Sequence, residues 1–239
     1  MKETEIVPCR VIGILGGMGP EATLDLYRDI INLTPAKRDQ DHIQVLIYSN
    51  PKIPDRTKGI EGTGDSPVPS LIESARILEQ GGAGIIAMPC NAAHHFLAEI
   101  QRGIFIPILD MIEEACQRLR VQFPGSKSAG LIASDGTVVS GIYAKALAKR
   151  RMDVLVPGEA DQQRVQAAID QVKLGIHDRA TRETFQSVGL RLAEAGAEPI
   201  ILGCTEVPLA FNADEVRYPT LNPTRILAEA AVAWALRKH

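Results

Sequence analysis

Seven short apolar runs, separated by stretches of helical periodicity, limit what this chain can fold into more than any other feature of it. They read RVIGILGG (10–17), HIQVLIYS (42–49), AGIIAMPC (83–90), IPILDM (106–111), SAGLIAS (128–134), MDVLVPG (152–158) and EPIILGC (198–204). A continuous apolar run has no solvent face, so it suits a strand covered on both sides, as in a parallel sheet. Amphipathic stretches fill the intervals, among them 21–33, 69–80, 91–102, 141–150 and 179–195. Strand and helix alternating this often specify an α/β fold with mostly parallel sheets. A short strand near 218–221 leads into a last helix over 223–237, which is free to return to the N-terminal half.

The order of features repeats. In the first half a strand ends in a glycine turn at Gly16 and a cysteine-terminated strand closes at Cys90. In the second half a strand ends at Ser134 and another cysteine-terminated strand closes at Cys204, after a similar interval. The halves read as duplicated α/β units. Ligands of open α/β sheets bind beyond the carboxyl ends of the strands. Gly16–Gly19, Ser49–Asn50, Cys90, Ser134–Thr137 and Cys204 all hold such positions, and two facing units would gather them in one cleft.

Charge narrows the partner. The 26 Lys and Arg against 29 Asp and Glu are spread along 239 residues, for a net charge of −3, so there is no basic footprint for nucleic acid or an anionic membrane surface. A small molecule is the expected partner. No apolar run reaches membrane-spanning length, and the opening residues carry Glu3 and Glu5 rather than a basic leader, which leads to the expectation of a cytoplasmic protein. Four cysteines without CxxC spacing are expected to be reduced thiols.

The glycine turn GILGGMGPEAT (13–23) meets the relaxed dinucleotide fingerprint through Gly17, Gly19 and Ala22. It lacks the acidic residue that would hold a ribose after the second strand, where Ser49-Asn50-Pro51 stands, and Pro20 removes a backbone N–H from the cradle. A ligand-free strand-to-helix turn is the alternative. Cys90 and Cys204 each precede an N-cap type residue, Asn91 and Thr205. A helix start there would lower both thiol pKa values. Cys9 and Cys116, in a pre-strand segment and a helical pattern, read as structural.

Cys90, His94, His95 and Cys204 also offer four zinc ligand types, without a paired-ligand spacing. Equally, the histidines serve as hydrogen-bonding or partly buried residues. A Cys–His hydrolase needs one thiol and leaves the mirrored one unexplained. Two thiols facing across a small substrate suit deprotonation of a carbon on one side and reprotonation from the other, which is racemisation without a cofactor.

GILGGMGPEAT, NPKIPDRT (50–57), PCNAAHHF (89–96), ASDGTVVSGIY (133–143), QVKLG (171–175) and LGCTEVP (202–208) occur in order over nearly the whole chain. Together they resemble the PLP-independent aspartate/glutamate racemase family, most closely its aspartate racemases. The resemblance implies two pseudo-symmetric Rossmann-like α/β domains, here 1–114 plus 216–239 and 115–215, with the active site in the cleft between them, and a homodimer. It makes Cys90 and Cys204 the acid/base pair acting on aspartate or glutamate, with no cofactor and no metal. It assigns Arg56 and Lys173 to the substrate carboxylates, and Asn50, Asn91, Thr137 and Thr205 to the pocket wall. Taken alone, Arg56 reads as a solvated loop residue and Lys173 as a helix-end cation. Glu206 is placed to orient or tune Cys204, although an acid in a first helical turn is also merely favourable there. Met18 matches a pocket position, although methionine more often packs. Ala92 departs from the family's usual threonine, which puts substrate preference in question. Glutamate racemase, hydantoin racemase, maleate isomerase and a catalytically silent ligand-binding protein are the alternative readings, since fold does not imply function.

Overall fold

The computed structural model describes residues 10–237, so Cys9 lies outside the described residues. The first unit runs β1 (Ile12–Gly16), α1 (Pro20–Leu33), β2 (Val45–Ser49), α2 (Arg56–Glu61), α3 (Val68–Gln80), β3 (Ile85–Ala87) and α4 (Leu97–Gln101). After α5 (Met111–Gln122) the second runs β4 (Ser128–Ile132), α6 (Asp135–Ser140), α7 (Ile142–Ala148), β5 (Asp153–Leu155), α8 (Glu159–Lys173), α9 (Arg179–Glu194), β6 (Ile200–Leu202), α10 (Val207–Ala210) and β7 (Thr220–Leu221). The chain ends in α11 (Pro223–Leu236). No helix among the described residues is long and apolar enough to cross a membrane.

Both sheets are parallel, with strand orders β2-β1-β3 and β5-β4-β6-β7. Ile12 pairs with Val45 on one side and Ile85 on the other; Gly130 pairs with Leu155 and Ile200, and Ile200 with Thr220. The duplication is therefore visible in the topology, with β1, β2 and β3 corresponding to β4, β5 and β6. The central strand β1 is buried at all five positions, as continuous apolar runs predict. The same composition at the sheet edge behaves otherwise: β2 is half covered, and Ile47 is 41% exposed.

The expected strand at 106–111 shrinks to one bridge, Ile86 with Ile108. Pro107 has no N–H to give. Gln101 takes the outer edge, donating to the Ile106 carbonyl and accepting from the Ile108 N–H. This bridge holds in the first unit the place that β7 holds in the second.

Each unit then sends a helix to the other. The Asp110 carboxylate caps α5 by accepting from Ile112 and Glu113 N–H, and the Asn222 side chain caps α11 by accepting from Thr224 and Arg225 N–H. Ile112, Ala115, Cys116 and Leu119 of α5 pack with Ala129 and Leu131 of β4. Leu227, Ala228, Ala231 and Val232 of α11 pack with Ile12 and Ile14 of β1 and Leu26 and Ile30 of α1. The last helix thus returns to the first unit. β7, within the segment 216–239 expected in the first unit, pairs into the second sheet, and residue 115 falls inside α5, whose Met111 packs with the first unit's core while Ile112, Ala115, Cys116 and Leu119 pack with the second's.

Two glycines let chain segments approach beside the cleft. Gly17 has φ +96°, and a Cβ there would stand 2.4 Å from the Asn50 carbonyl carbon. A Cβ on Gly136, at the start of α6, would stand 2.5 Å from Thr57 Oγ1 of α2 in the other unit.

Candidate active site

A small cavity opens where the carboxyl ends of β1, β3, β4 and β6 converge. Met18, Arg56, Cys90, Asn91 and Ala92 line it from the first unit, and Thr137, Lys173, Cys204, Thr205 and Glu206 from the second. It has about 30 Å³ of free space, and an adjoining cavity of about 260 Å³ shares Met18, Asp55, Arg56, Lys173 and Glu206 and forms its mouth. Asn50 stands apart from both linings. Its side-chain amide donates to Ser74 Oγ and accepts from the Lys52 N–H, while its backbone closes on Gly17, so it shapes the turn beneath the site.

Asp55 and Thr57, which the motifs did not single out, also line the cavity, as does Ser134, expected at a strand end facing the cleft. The first two flank Arg56 in NPKIPDRT, and Ser134 Oγ sits 3.1 Å from Thr137 Oγ1. Adjacency within the motifs was the available signal.

Both thiols are buried, Cys90 to 7% exposure and Cys204 to 8%. Burial pushes the Cys90 thiol up, and the Arg56 guanidinium and the Ala93 N–H pull it back. Burial pushes the Cys204 thiol well up and the Glu206 carboxylate adds to this, against the Glu206 N–H and the Lys173 ammonium. The expected lowering by helix starts is therefore present and outweighed. Its sources are short: a five-residue 3-10 turn follows Cys90 and the four-residue α10 follows Cys204. Low-dielectric burial of a thiolate costs more than one or two N–H groups return. Neither Asn91 nor Thr205 caps by its side chain; Asn91 Oδ1 accepts from Tyr143 OH and Thr205 Oγ1 donates to Glu206.

The two cysteines have opposite neighbours. Arg56 sends Nη1 to the carbonyls of Ile53 and Pro54, which brings its head beside Cys90 with Nε buried and unpaired. Glu206 accepts from Cys204 Sγ at 3.0 Å, from Thr205 Oγ1 at 3.2 Å and from the Gly19 N–H at 3.3 Å. One carboxylate thereby holds the second thiol and ties the two units. Lys173, paired with Asp170 at 3.1 Å, stands at the mouth on the Cys204 side.

Glu206→Gln tests this local electrostatics directly. The carboxylate opposes ionisation of Cys204, so neutralising it lowers the Cys204 pKa, and thiolate appears at lower pH. The expected result is a lower pH midpoint of Cys204 alkylation by iodoacetamide, followed by mass spectrometry, with Cys90 moving less. An unchanged Cys204 midpoint would show that the carboxylate does not tune the thiol.

The histidines do other work. His94 Nε2 accepts from the Met111 N–H, so Nδ1 carries the hydrogen and donates to the Cys90 carbonyl at 2.8 Å. Burial holds its pKa below the ordinary imidazole value. His94 thus fastens the Cys90 turn to the start of α5, and His95 packs edge-on against Phe96. Among the described residues no three His, Cys, Asp or Glu side chains are grouped to hold a metal ion. The glycine turn is likewise committed: Gly17 N–H donates to Thr23 Oγ1 and Gly19 N–H to Glu206, and Pro20 has none, so the turn presents no pyrophosphate cradle.

A family model described as Asp/Glu/Hydantoin racemase matches residues 15–231. A broad specificity amino-acid racemase of Bacillus subtilis is 29% identical over 227 residues, spanning 93% of this chain and 97% of that protein. A Picrophilus torridus aspartate racemase has a solved structure similar to this one, with a TM-score of 0.83 and 29% identity, covering 96% of this chain and 95% of that one. A glutamate racemase from Francisella tularensis shares the fold, with a TM-score of 0.68 at 15% identity over 97% of this chain and 84% of that one.

Proposed function

Because this chain belongs to the Asp/Glu/hydantoin racemase family and is a racemase, we propose that it interconverts the enantiomers of an acidic amino acid, aspartate first, by proton transfer at Cα between Cys90 and Cys204. The observation that carries this reading is the pair of buried thiols at mirrored strand ends in one cavity, with a cation beside one and a carboxylate beside the other.

In the proposed mechanism Arg56 and Lys173 hold the substrate carboxylates and fix Cα between the sulfurs. The Cys90 thiolate takes the α-proton of one enantiomer, and the Cys204 thiol delivers its proton to the opposite face. For the other enantiomer the roles exchange. Each turnover moves one proton onto one sulfur and one off the other, so the shuttle needs no cofactor. The carbanion-like intermediate spreads charge into the adjacent carboxylate, where the cation and fixed N–H donors stabilise it in a closed site.

Ala92 favours a second reading, a wider substrate range. It gives the cavity wall a methyl and no hydroxyl, and the Bacillus subtilis relative is named for broad specificity. Proton NMR of L-aspartate in D₂O tests the main proposal: the α-proton signal disappears as D-aspartate accumulates. Absence of exchange with both enantiomers of aspartate and glutamate would overturn the acidic substrate, and a panel of neutral and basic amino acids measures the breadth.

A further inference from the structure

We infer that Tyr143 is a positioning residue whose phenolic O–H fixes the Asn91 amide with its NH₂ end toward the substrate, giving the Cys90 side of the cavity a carboxylate-binding donor. The inference rests on the racemase reading above.

Tyr143 lies on α7 in the second unit, fully buried among Leu147, Ala133 and Cys116. Its hydroxyl crosses to the first unit and meets Asn91 Oδ1 at 2.7 Å, its one hydrogen-bond partner among the described residues. A phenol has one hydrogen to give. If the amide were turned over, the phenol would accept from Nδ2, and its own hydrogen would be buried without an acceptor beside an unpaired Oδ1. Buried unpaired polar groups are costly, so the pair has a preferred polarity: Tyr143 donates and Asn91 accepts. Burial also pushes the Tyr143 phenol well above its ordinary range, so it remains a donor wherever the enzyme works.

That polarity leaves one group over. Asn91 Nδ2 is buried with no partner, on a residue that lines the cavity and is 2% exposed. The next two residues, Ala92 and Ala93, offer only methyl groups. Asn91 is therefore the side-chain donor of this wall beside Cys90, and Arg56 Nε is the other buried unpaired donor of the lining. Two such donors match the oxygens of a carboxylate. An amide free to turn over would offer a carbonyl oxygen to that carboxylate and repel it.

Tyr143→Phe keeps the ring in the core and removes only the O–H. On an amino acid that the wild type racemises, the expected result is a tenfold to hundredfold lower kcat/KM, about what one hydrogen bond to a charged group contributes, carried mainly by a higher KM. In an Asn91→Ala background the same substitution should cost nothing further, because the group it orients is gone. Wild-type kinetics in Tyr143→Phe, or an equal loss in both backgrounds, would overturn the inference and leave Tyr143 a packing residue. Calorimetric titration with succinate separates this from the racemase reading. A wild type that racemises nothing sinks that reading, whereas weaker succinate binding in Tyr143→Phe supports the positioning role and unchanged binding refutes it.

Discussion

On the proposed two-thiol mechanism, Cys90→Ser and Cys204→Ser are each expected to lose racemisation by about a thousandfold or more, in both directions, while retaining the fold. The size follows from the chemistry: a positioned general acid or base contributes typically about 10²–10⁴-fold, and a serine hydroxyl is far too weak an acid to serve as its own base at neutral pH. Both reaction directions need both sulfurs, one to take the proton and one to return it, so neither variant retains a favoured direction. One remaining reaction separates this mechanism from a general disturbance of the site. In Cys204→Ser the Cys90 sulfur is still beside Arg56, so in the proposed mechanism its ionised form can remove the α-proton of the enantiomer that faces it and return deuterium to the same side. Isotope exchange without inversion is expected there, from one enantiomer only. Chirality and the α-proton signal, followed together in D₂O, record both. Full racemisation by either variant would remove the two-thiol mechanism, and circular dichroism confirms that a buried Cys→Ser change has not unfolded the chain.

The two cysteines were legible because they follow strand ends, and strand ends of parallel sheets face ligands whatever the rest of the chain does. The apolar runs located β1, β4 and β6 for the same local reason. What stayed hidden depends on which surfaces meet. The last helix was expected and α5 was not singled out; an apolar stripe carries no address, and the packing of these two helices across the units emerges only in the packed structure. The thiol pKa directions were misjudged because a helix start is a local feature, whereas burial at Cys90 and Cys204 is produced by two units closing on each other. Asn50 sits in the motif beside the site, but the Gly17 turn draws its backbone underneath, and Ser74 and Lys52 occupy its side chain. Tyr143 closes the motif ASDGTVVSGIY, but the motif does not show that its hydroxyl meets a partner 52 residues away.

Arg56 is asked to do two things, and two substitutions separate them. Its cation is the largest influence opposing the burial that raises the Cys90 thiol, and its planar fork, with Nε buried and unpaired, is shaped for a carboxylate. Arg56→Met removes both. Without the cation the Cys90 pKa rises, less thiolate is present at a given pH, and the acid limb of kcat/KM moves to higher pH for the enantiomer that Cys90 deprotonates. The same change strips a buried charge partner from the substrate, which costs about 2–5 kcal/mol, so kcat/KM falls by about thirtyfold to several thousandfold. Arg56→Lys keeps the positive charge and loses the fork. It is therefore expected to raise KM while leaving the acid limb near its wild-type position. The bonds from Nη1 to the Ile53 and Pro54 carbonyls disappear in the methionine variant, so a modest drop in Tm accompanies it without accounting for a moved pH limb. If Met and Lys shift the limb equally, charge is not what supports the Cys90 thiolate. If neither changes KM, the carboxylate is held elsewhere, and Lys173 at the mouth becomes the group to replace next.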